Sequence, residues 1–234
     1  MDKPFVSLTF DDGLRNQIER AVPILDRYGL AGTFFLIANT YPVHERPTWR
    51  KIEWNSKDVE DLNNMVLRGH EIGSHSVNHK DPQSDPSFDP ILEAEQSKQL
   101  IETWMGWTGK KQITSFCYPF CKKPDALKSA VKAAKYEQAR AGSTGLSYYS
   151  PHELIDLFDV DCRQITPNEN VGSWIQPKRW HVLMFHGIGD WQDGWAPISV
   201  DEFSRQMVEL AKHRDSGAVD VVTFKEGADR FGQG

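Results

Sequence analysis

The feature that most limits how this chain can fold is the alternation of short apolar runs with longer stretches of helical period. Phe5-Val6-Ser7-Leu8-Thr9 opens the series, and an aromatic-rich run over residues 31–37 follows. Further strand-like segments are expected at Glu71-Ile72-Gly73-Ser74-His75 and over residues 113–118, 138–141, 158–162, 180–185 and 219–223. Between them lie amphipathic segments. Residues 16–28 place Ile18, Ala21, Val22, Ile24 and Leu25 on one face, and Gly29 supplies a stop. Ser56 is expected to cap a helix to about residue 67, and residues 91–104 read as a long helix. Asp125 caps a helix through residue 134, and a capped turn is expected at Ser150. Ser199-Val200-Asp201-Glu202 matches the capping-box pattern and opens a helix to about residue 213. About seven or eight strands separated by helices imply a parallel sheet with helical crossovers. At 234 residues the expectation is an α/β fold, a distorted (β/α)7-type barrel forming a single domain over residues 1–234. A doubly wound open sheet is the runner-up.

The charge balance excludes one class of partner. With 27 basic and 33 acidic residues the net charge is −6, and no Lys/Arg stripe suggests a nucleic-acid partner. No window approaches the ~18 apolar residues of a membrane span. Met1-Asp2-Lys3-Pro4 runs straight into the first strand without a signal-peptide region, which fits a cytoplasmic protein or one whose leader has been removed. Cys117, Cys121 and Cys162 are too few for a disulfide framework and are expected as free thiols.

The chemistry gathers at strand ends. The first strand ends at Asp11-Asp12-Gly13, which alone reads equally as a solvated turn or as part of a site. The third ends at His75, with His79 following, the fourth at Pro119-Phe120, and the late strand at His186. In a β/α barrel these ends share the face on which active sites are built. His75-Ser-Val-Asn-His79 is a His-x-x-x-His pair, and one turn of helix would stack both imidazoles toward one ion. Two histidines and a carboxylate form the usual ligand set of an open catalytic zinc site.

Thr9-Phe10-Asp11-Asp12-Gly13 and His75-Ser-Val-Asn-His79 resemble the first two signature motifs of the NodB-like polysaccharide deacetylases, carbohydrate esterase family 4. Gly69-His-Glu-Ile-Gly-Ser-His75 looks like the approach to the second, and Leu183-Met-Phe-His186 is similar to the last. The resemblance implies that Asp12, His75 and His79 bind a divalent metal, usually Zn2+, with Co2+ or Ni2+ as alternatives. It implies Asp11 as general base, His186 as general acid and the backbone N–H of Phe120 as oxyanion donor. It makes residues 1–234 a catalytic domain acting on an acetylated glycan.

Two departures stand out. The third motif of that family opens with an arginine that pairs with the general base, and here the position is Cys117. Asp11 is therefore expected to sense a weaker positive field, shifting the acidic limb of the rate profile upward. The fourth motif, an Asp–Trp segment that tunes the acid histidine, has no clear counterpart. Asp159 or Asp161 either orients His186 or simply faces solvent. Cys117 and Cys121 are expected as small buried thiols.

Eight tryptophans bear on substrate, because sugar C–H faces stack on aromatic planes. Trp191 and Trp195, in the loop after His186, and Tyr118 are the residues expected to meet it. Trp49, Trp54 and Trp174 also fall in predicted loops, whereas Trp104 and Trp107 are expected in the core. The reading is a metal-dependent deacetylase of N-acetylated sugars, on a chitin-like, peptidoglycan or related glycan. The rivals are an O-acetyl glycan esterase such as one acting on acetylxylan, a cyclic-amide or ureide hydrolase, and a catalytically silent glycan-binding module.

Overall fold

In the computed structural model, residues 3–39, 49, 51–107, 109, 112–142, 148–149 and 155–232 are described. The two longest strands, β1 (Phe5–Phe10) and β8 (Trp180–Phe185), are buried along their whole length. That is why both read as nearly unbroken apolar runs: a parallel strand covered on both faces has no solvent side to make polar. Around them lie β2 (Gly32–Leu36), β3 (Glu71–Ser74), β4 (Ser115–Cys117), β5 (Gln138–Arg140), β6 (Tyr148–Tyr149), β7 (Arg163–Gln164) and β9 (Asp220–Val221). The sheet order is β5-β4-β3-β2-β1-β8-β6, with β7 beside β8 and β9 beside β1. Of these pairings only β6 with β8 is antiparallel. The sheet curves into a half-barrel with helices around it, the distorted β/α barrel expected from the alternation.

The helices follow the expected order: α1 (Val22–Arg27), α2 (Ser56–Leu67), α3 (Ser97–Trp104), α4 (Asp125–Ala133), α5 (Val200–Asp215) and α6 (Phe224–Gly232). Segments with i→i+5 bonding lead into α1 (Gln17–Ala21) and α3 (Leu92–Gln96). Side chains alternate across each strand. Val6, Leu8 and Phe10 join the larger core beneath the helices, while Phe5, Phe35, Cys117, Trp180, Val182 and Met184 form a second cluster on the concave face. Carried one step past the strand ends, the same parity brings Asp11, His75 and His186 to that concave face. Its opposite end is closed by α6. The backbone N–H of Phe224 donates to Thr33 Oγ1, and that of Lys225 donates to the buried Glu71 carboxylate.

Several local expectations need correction. Asn55, not Ser56, caps α2, its side chain accepting from Asp58 N. Asp125 is the first residue of α4 rather than its cap. Residues 158–162 do not form a continuous strand: Val160 and Cys162 bond to Ala139, Ala141 and Gly142 beside β5, but the backbone of Phe158 is claimed elsewhere. Phe158 N donates to Asp156 Oδ1, Phe158 O accepts from Tyr118 Oη, and Val160 makes a lone bridge with Arg140. Trp54 is buried and Trp104 is 43% exposed, the reverse of their expected places, and the two rings stack 6.5 Å apart. Ser150 lies outside the described residues.

His181, on β8, supplies a test of the buried sheet. It is 2% exposed, and its Nε2 accepts from Gln176 N at 3.0 Å. Burial, aided by Arg179 and Arg163 and opposed by the Gln176 bond, holds its pKa down to about 4 from 6.5. The unfolded chain therefore binds this proton first. The stability that neutral His181 contributes is complete above about pH 6.5 and is lost as pH falls toward 4, by roughly 3 kcal/mol. Urea unfolding between pH 7 and 4 should show His181→Gln losing less stability over this window than the parent.

Candidate active site

The chain turns sharply as it leaves β1. Asp12 and Gly13 both adopt positive φ, 75° and 63°, which is unusual for a non-glycine residue and swings the Asp12 carboxylate back over the strand ends. Asp11 N donates to Phe185 O at 3.0 Å, which fixes this turn against β8. Gln17 ties the two loops together. Its Nε2 donates to both Asp11 O and His186 O, and its Oε1 accepts from Leu14 N.

His75 and His79 come together without a helix. His75 follows the end of β3, and the next four residues form a loop in which Ser76 (φ 67°) and His79 (φ 52°) are left-handed. Ser76 Oγ accepts from His79 N at 3.0 Å. Buried Glu93 accepts from Val77 N, Asn78 N and Asn78 Nδ2, so one carboxylate organises the whole loop. The expected helical turn is replaced because its backbone N–H groups are satisfied by side chains instead.

His75 Nδ1 lies 2.9 Å from Cys117 O. A carbonyl can only accept, so Nδ1 carries the proton and Nε2 keeps its lone pair. That Nε2 is 3.7 Å from Asp12 Oδ1, and His79 Nε2 is 3.6 Å from the same oxygen. Two ligand atoms on one tetrahedral ion at ~2.0–2.2 Å stand roughly 3.3–3.6 Å apart, so Asp12, His75 and His79 could hold one metal ion. Burial works to raise the Asp12 pKa. His79, His186, His75 and Lys51 outweigh it and hold the carboxyl below its usual range. Burial keeps His75 biased toward the neutral form a ligand needs.

Asp11, His75 and Cys117 form a second group of suitable donors. It suits a cation poorly. The buried Arg140 guanidinium donates from Nη2 to both Asp11 Oδ2 and Cys117 Sγ, and burial raises the Cys117 thiol pKa well above its usual value. This guanidinium also corrects an expectation: with position 117 a cysteine, Asp11 still has an arginine partner, from the neighbouring strand. Its charge persists because Asp11 and the thiols outweigh the burial that disfavours it.

His186 completes the rim, its Nε2 3.7 Å from Asp11 Oδ2 and its ring edge-on to Trp195 at 4.9 Å. Its Nδ1 is buried with no hydrogen-bond partner among the described residues, so neither Asp159 nor Asp161 bonds it. Asp159 pairs with Lys123 and Lys128, and Asp161 Oδ1 accepts from Cys162 N.

The pocket over these groups is walled by Trp49, Lys51, Tyr118, Phe120, Gln164, Met184 and Trp195. Phe120 is left-handed (φ 56°), and its half-exposed ring lies 4.6 Å from that of His79. Tyr118, expected to meet substrate, is buried in the pocket wall. It is 1% exposed, and its hydroxyl is committed to Phe158 O. Trp191 is exposed but does not line the pocket. Sequence reasoning missed Lys51, Gln164, Met184, Gln17, Glu93 and Arg140. Only Arg140 carried a signal, as a cation between two alanines in a short buried strand.

Comparisons with known proteins place this geometry in context. A family model described as polysaccharide deacetylase matches residues 1–139. A gellan lyase of Bacillus sp. is 27% identical over 164 residues, 69% of this chain and 6% of that protein. YxkH of Bacillus subtilis (strain 168), provisionally named a polysaccharide deacetylase, is 28% identical over 128 residues, 54% of this chain and 41% of that protein. The chain thus spans less than half the length of both relatives. Three solved structures share its fold. The Xyl-CE4 domain of a multidomain xylanase from the hindgut metagenome of Trinervitermes trinervoides has a TM-score of 0.64 at 18% identity, covering 99% of this chain and 92% of that one. Peptidoglycan deacetylase PdaC from Bacillus subtilis gives 0.60 at 17% identity, covering 99% and 93%. A family 4 acetyl xylan esterase from Clostridium thermocellum, solved with a cobalt ion, gives 0.56 at 17% identity, covering 95% and 89%.

Glu93 is the residue on which the His75–His79 loop depends. Glu93→Gln removes the charge and, with its amide oxygen kept on the Val77 and Asn78 backbone donors, turns an NH2 group against Asn78 Nδ2. Unfolding free energy should fall by about 2–3 kcal/mol in urea titrations. The site's affinity for an added divalent ion, measured for parent and variant by competition with a chromophoric chelator, should drop by roughly tenfold or more.

Proposed function

The chain belongs to the polysaccharide deacetylase family, and we propose that it removes acetyl groups from N-acetylated sugars of a poly- or oligosaccharide by metal-dependent hydrolysis. The observation that carries this reading is the convergence of Asp12 Oδ1, His75 Nε2 and His79 Nε2, with Asp11 and His186 beside them. The donor set suits Zn2+ first, with Co2+ or Ni2+ as alternatives. When bound, such an ion acts as a Lewis acid on the acetyl carbonyl and makes water acidic enough to attack near neutral pH.

The remaining work falls to this chain's own groups. Asp11 accepts the proton of the attacking water, and its Oδ2 is turned toward the site, 3.9 Å from His75 Nε2 and 3.7 Å from His186 Nε2. His186 delivers a proton from Nε2 to the departing nitrogen, since an amine leaves an amide only when protonated. The backbone N–H of Phe120 donates to the developing oxyanion, a contribution of about 3–4 kcal/mol for a well-placed donor. Trp195 and Phe120 provide faces for sugar rings, with Trp191 further out on the rim, while Tyr118 lies buried in the wall beneath them. A chitin-like glycan, peptidoglycan or a related polymer fits such a wall. His186 lies beyond the stretch that the family model matches, so residues 1–234 are taken as one catalytic domain.

Acetate release from a panel of N- and O-acetylated glycans, with and without a chelator, tests the reading. The expected result is chelator-sensitive release from N-acetylated substrates. Asp12→Asn should abolish it together with zinc binding, and His186→Ala should lower kcat by roughly 10²–10⁴-fold. Release from O-acetyl glycans alone would replace the reading with an esterase. Glycan binding without turnover or bound metal would replace it with a silent binding module, and turnover of a cyclic amide without acetate with the ureide-type hydrolase.

A further inference from the structure

The buried cluster behind Asp11 carries an inference about how its carboxylate is held. Cys117 on β4 and Arg140 on β5 are Cα partners in a parallel pair, so both side chains leave the same face of the sheet. Arg140 is 0% exposed. Its Nη2 donates to Asp11 Oδ2 and to Cys117 Sγ, its Nη1 lies 3.1 Å from Cys162 Sγ, and its guanidinium stands 5.5 Å from the centre of the Phe35 ring. The side chain crosses from β5 over Cys117 to reach a residue at the end of β1. A residue larger than cysteine at 117 would occupy the space the guanidinium fills.

An ion pair between two buried groups is a costly device unless its geometry serves something, because both charges leave water. Here the geometry is selective. The guanidinium takes Oδ2, the oxygen that stands 3.9 Å from His75 Nε2 and 3.7 Å from His186 Nε2, and so fixes the edge of the carboxylate that is turned toward the site. From this we infer that Arg140 is a positioning residue: it locks the rotation of the Asp11 carboxylate so that Oδ2 stays turned toward His75 and His186, the side from which the base meets the reacting water. Residues 117 and 140 then form one functional unit, a small side chain on one strand and an arginine on the next. Exchanging the two residues should preserve that unit. The inference rests on the deacetylase reading, in which Asp11 is the base.

The test combines kinetics with structure. The parent is first assayed for chelator-sensitive acetate release. A parent without that activity removes the deacetylase reading itself, an outcome distinct from any change among the variants. Arg140→Cys should lower kcat by about 100-fold or more while KM changes by less than about threefold, because a base loses its orientation and the substrate wall stays intact. Arg140→Lys, which keeps the charge without the fork, should fall between them. The exchanged variant C117R/R140C should return kcat to within about tenfold of the parent. Crystal structures of the parent and the same variants supply a readout that does not depend on turnover. The Asp11 carboxylate should be rotated or split between orientations in Arg140→Cys and restored in the exchange. Should Arg140→Cys fail to fold, the exchanged variant and Arg140→Lys decide. The inference is overturned by an Arg140→Cys or Arg140→Lys enzyme with parental kcat, by a folded exchange variant no better than Arg140→Cys, or by an Asp11 carboxylate that stays in place without its arginine.

Discussion

The parallel register of β1 against β8 is the constraint that sets the site's geometry. Phe10 pairs with Phe185, so the residues after them, Asp11 and His186, emerge side by side from the same edge of the sheet. The Asp11 N–H bond to Phe185 O and the double bond of Gln17 to Asp11 O and His186 O carry that register one residue past the strands. A slip of one residue would send Asp11 into the layer beneath the helices and empty the concave face of its carboxylate. The stacked rings of Phe10, Phe34 and Phe185 oppose such a slip, since each fits one pleat of the outer core.

Around this frame the chain buries an unusual density of charge, and the balance is local. The two adjacent aspartates each face a cation or a group able to become one: Asp11 faces Arg140, and Asp12 faces His75 and His79. The division of labour between the two aspartates follows from position rather than type. Asp11 continues the strand's alternation and meets what the interior offers, a guanidinium rooted on β5. Asp12, released by its left-handed backbone, meets the two imidazoles at the rim. A guanidinium excludes a metal ion from its immediate neighbourhood, so Arg140 separates the two carboxylates into different chemical environments although they are adjacent in the chain.

Much of this was legible in the sequence, for physical reasons. Buried parallel strands must be apolar throughout, so β1, β2 and β8 stand out, and strand ends in a β/α barrel share one face, so Asp11, Asp12, His75, His79 and His186 could be grouped before any geometry was known. What escaped were interactions that periodicity does not encode. Spacing of four suggested a helical turn for His75 and His79, whereas Glu93, fourteen residues past His79, dictates a loop through bonds to backbone N–H groups. Nor could the arginine expected at 117 be sought on another strand, since the pairing of Cys117 with Arg140 depends on the β4–β5 register. The strand expected over residues 158–162 is reduced to a bridge of Val160 with Arg140, because Asp156 and Tyr118 take the backbone groups of Phe158 at its start.

The loops that carry the site are held in conformations the chain would not choose alone. Asp12, Ser76, His79, Phe120 and Cys121 all have positive φ without being glycine, and each costs of order 1–2 kcal/mol relative to a relaxed backbone. Bonds from Glu93, Ser76 and Gln17 offset part of that strain at the rim. The rest must be supplied by elements that take no part in the chemistry. The closed end of the half-barrel fits that role, with Trp180 stacked near Phe5 and Phe224, and Glu71 satisfied by Thr33, Ser115 and Lys225 N. Stability and chemistry are thereby placed at opposite ends of the same strands. Substitutions at the closed end should act on the site only through global unfolding, whereas substitutions in the rim loops can alter the site while the sheet remains intact.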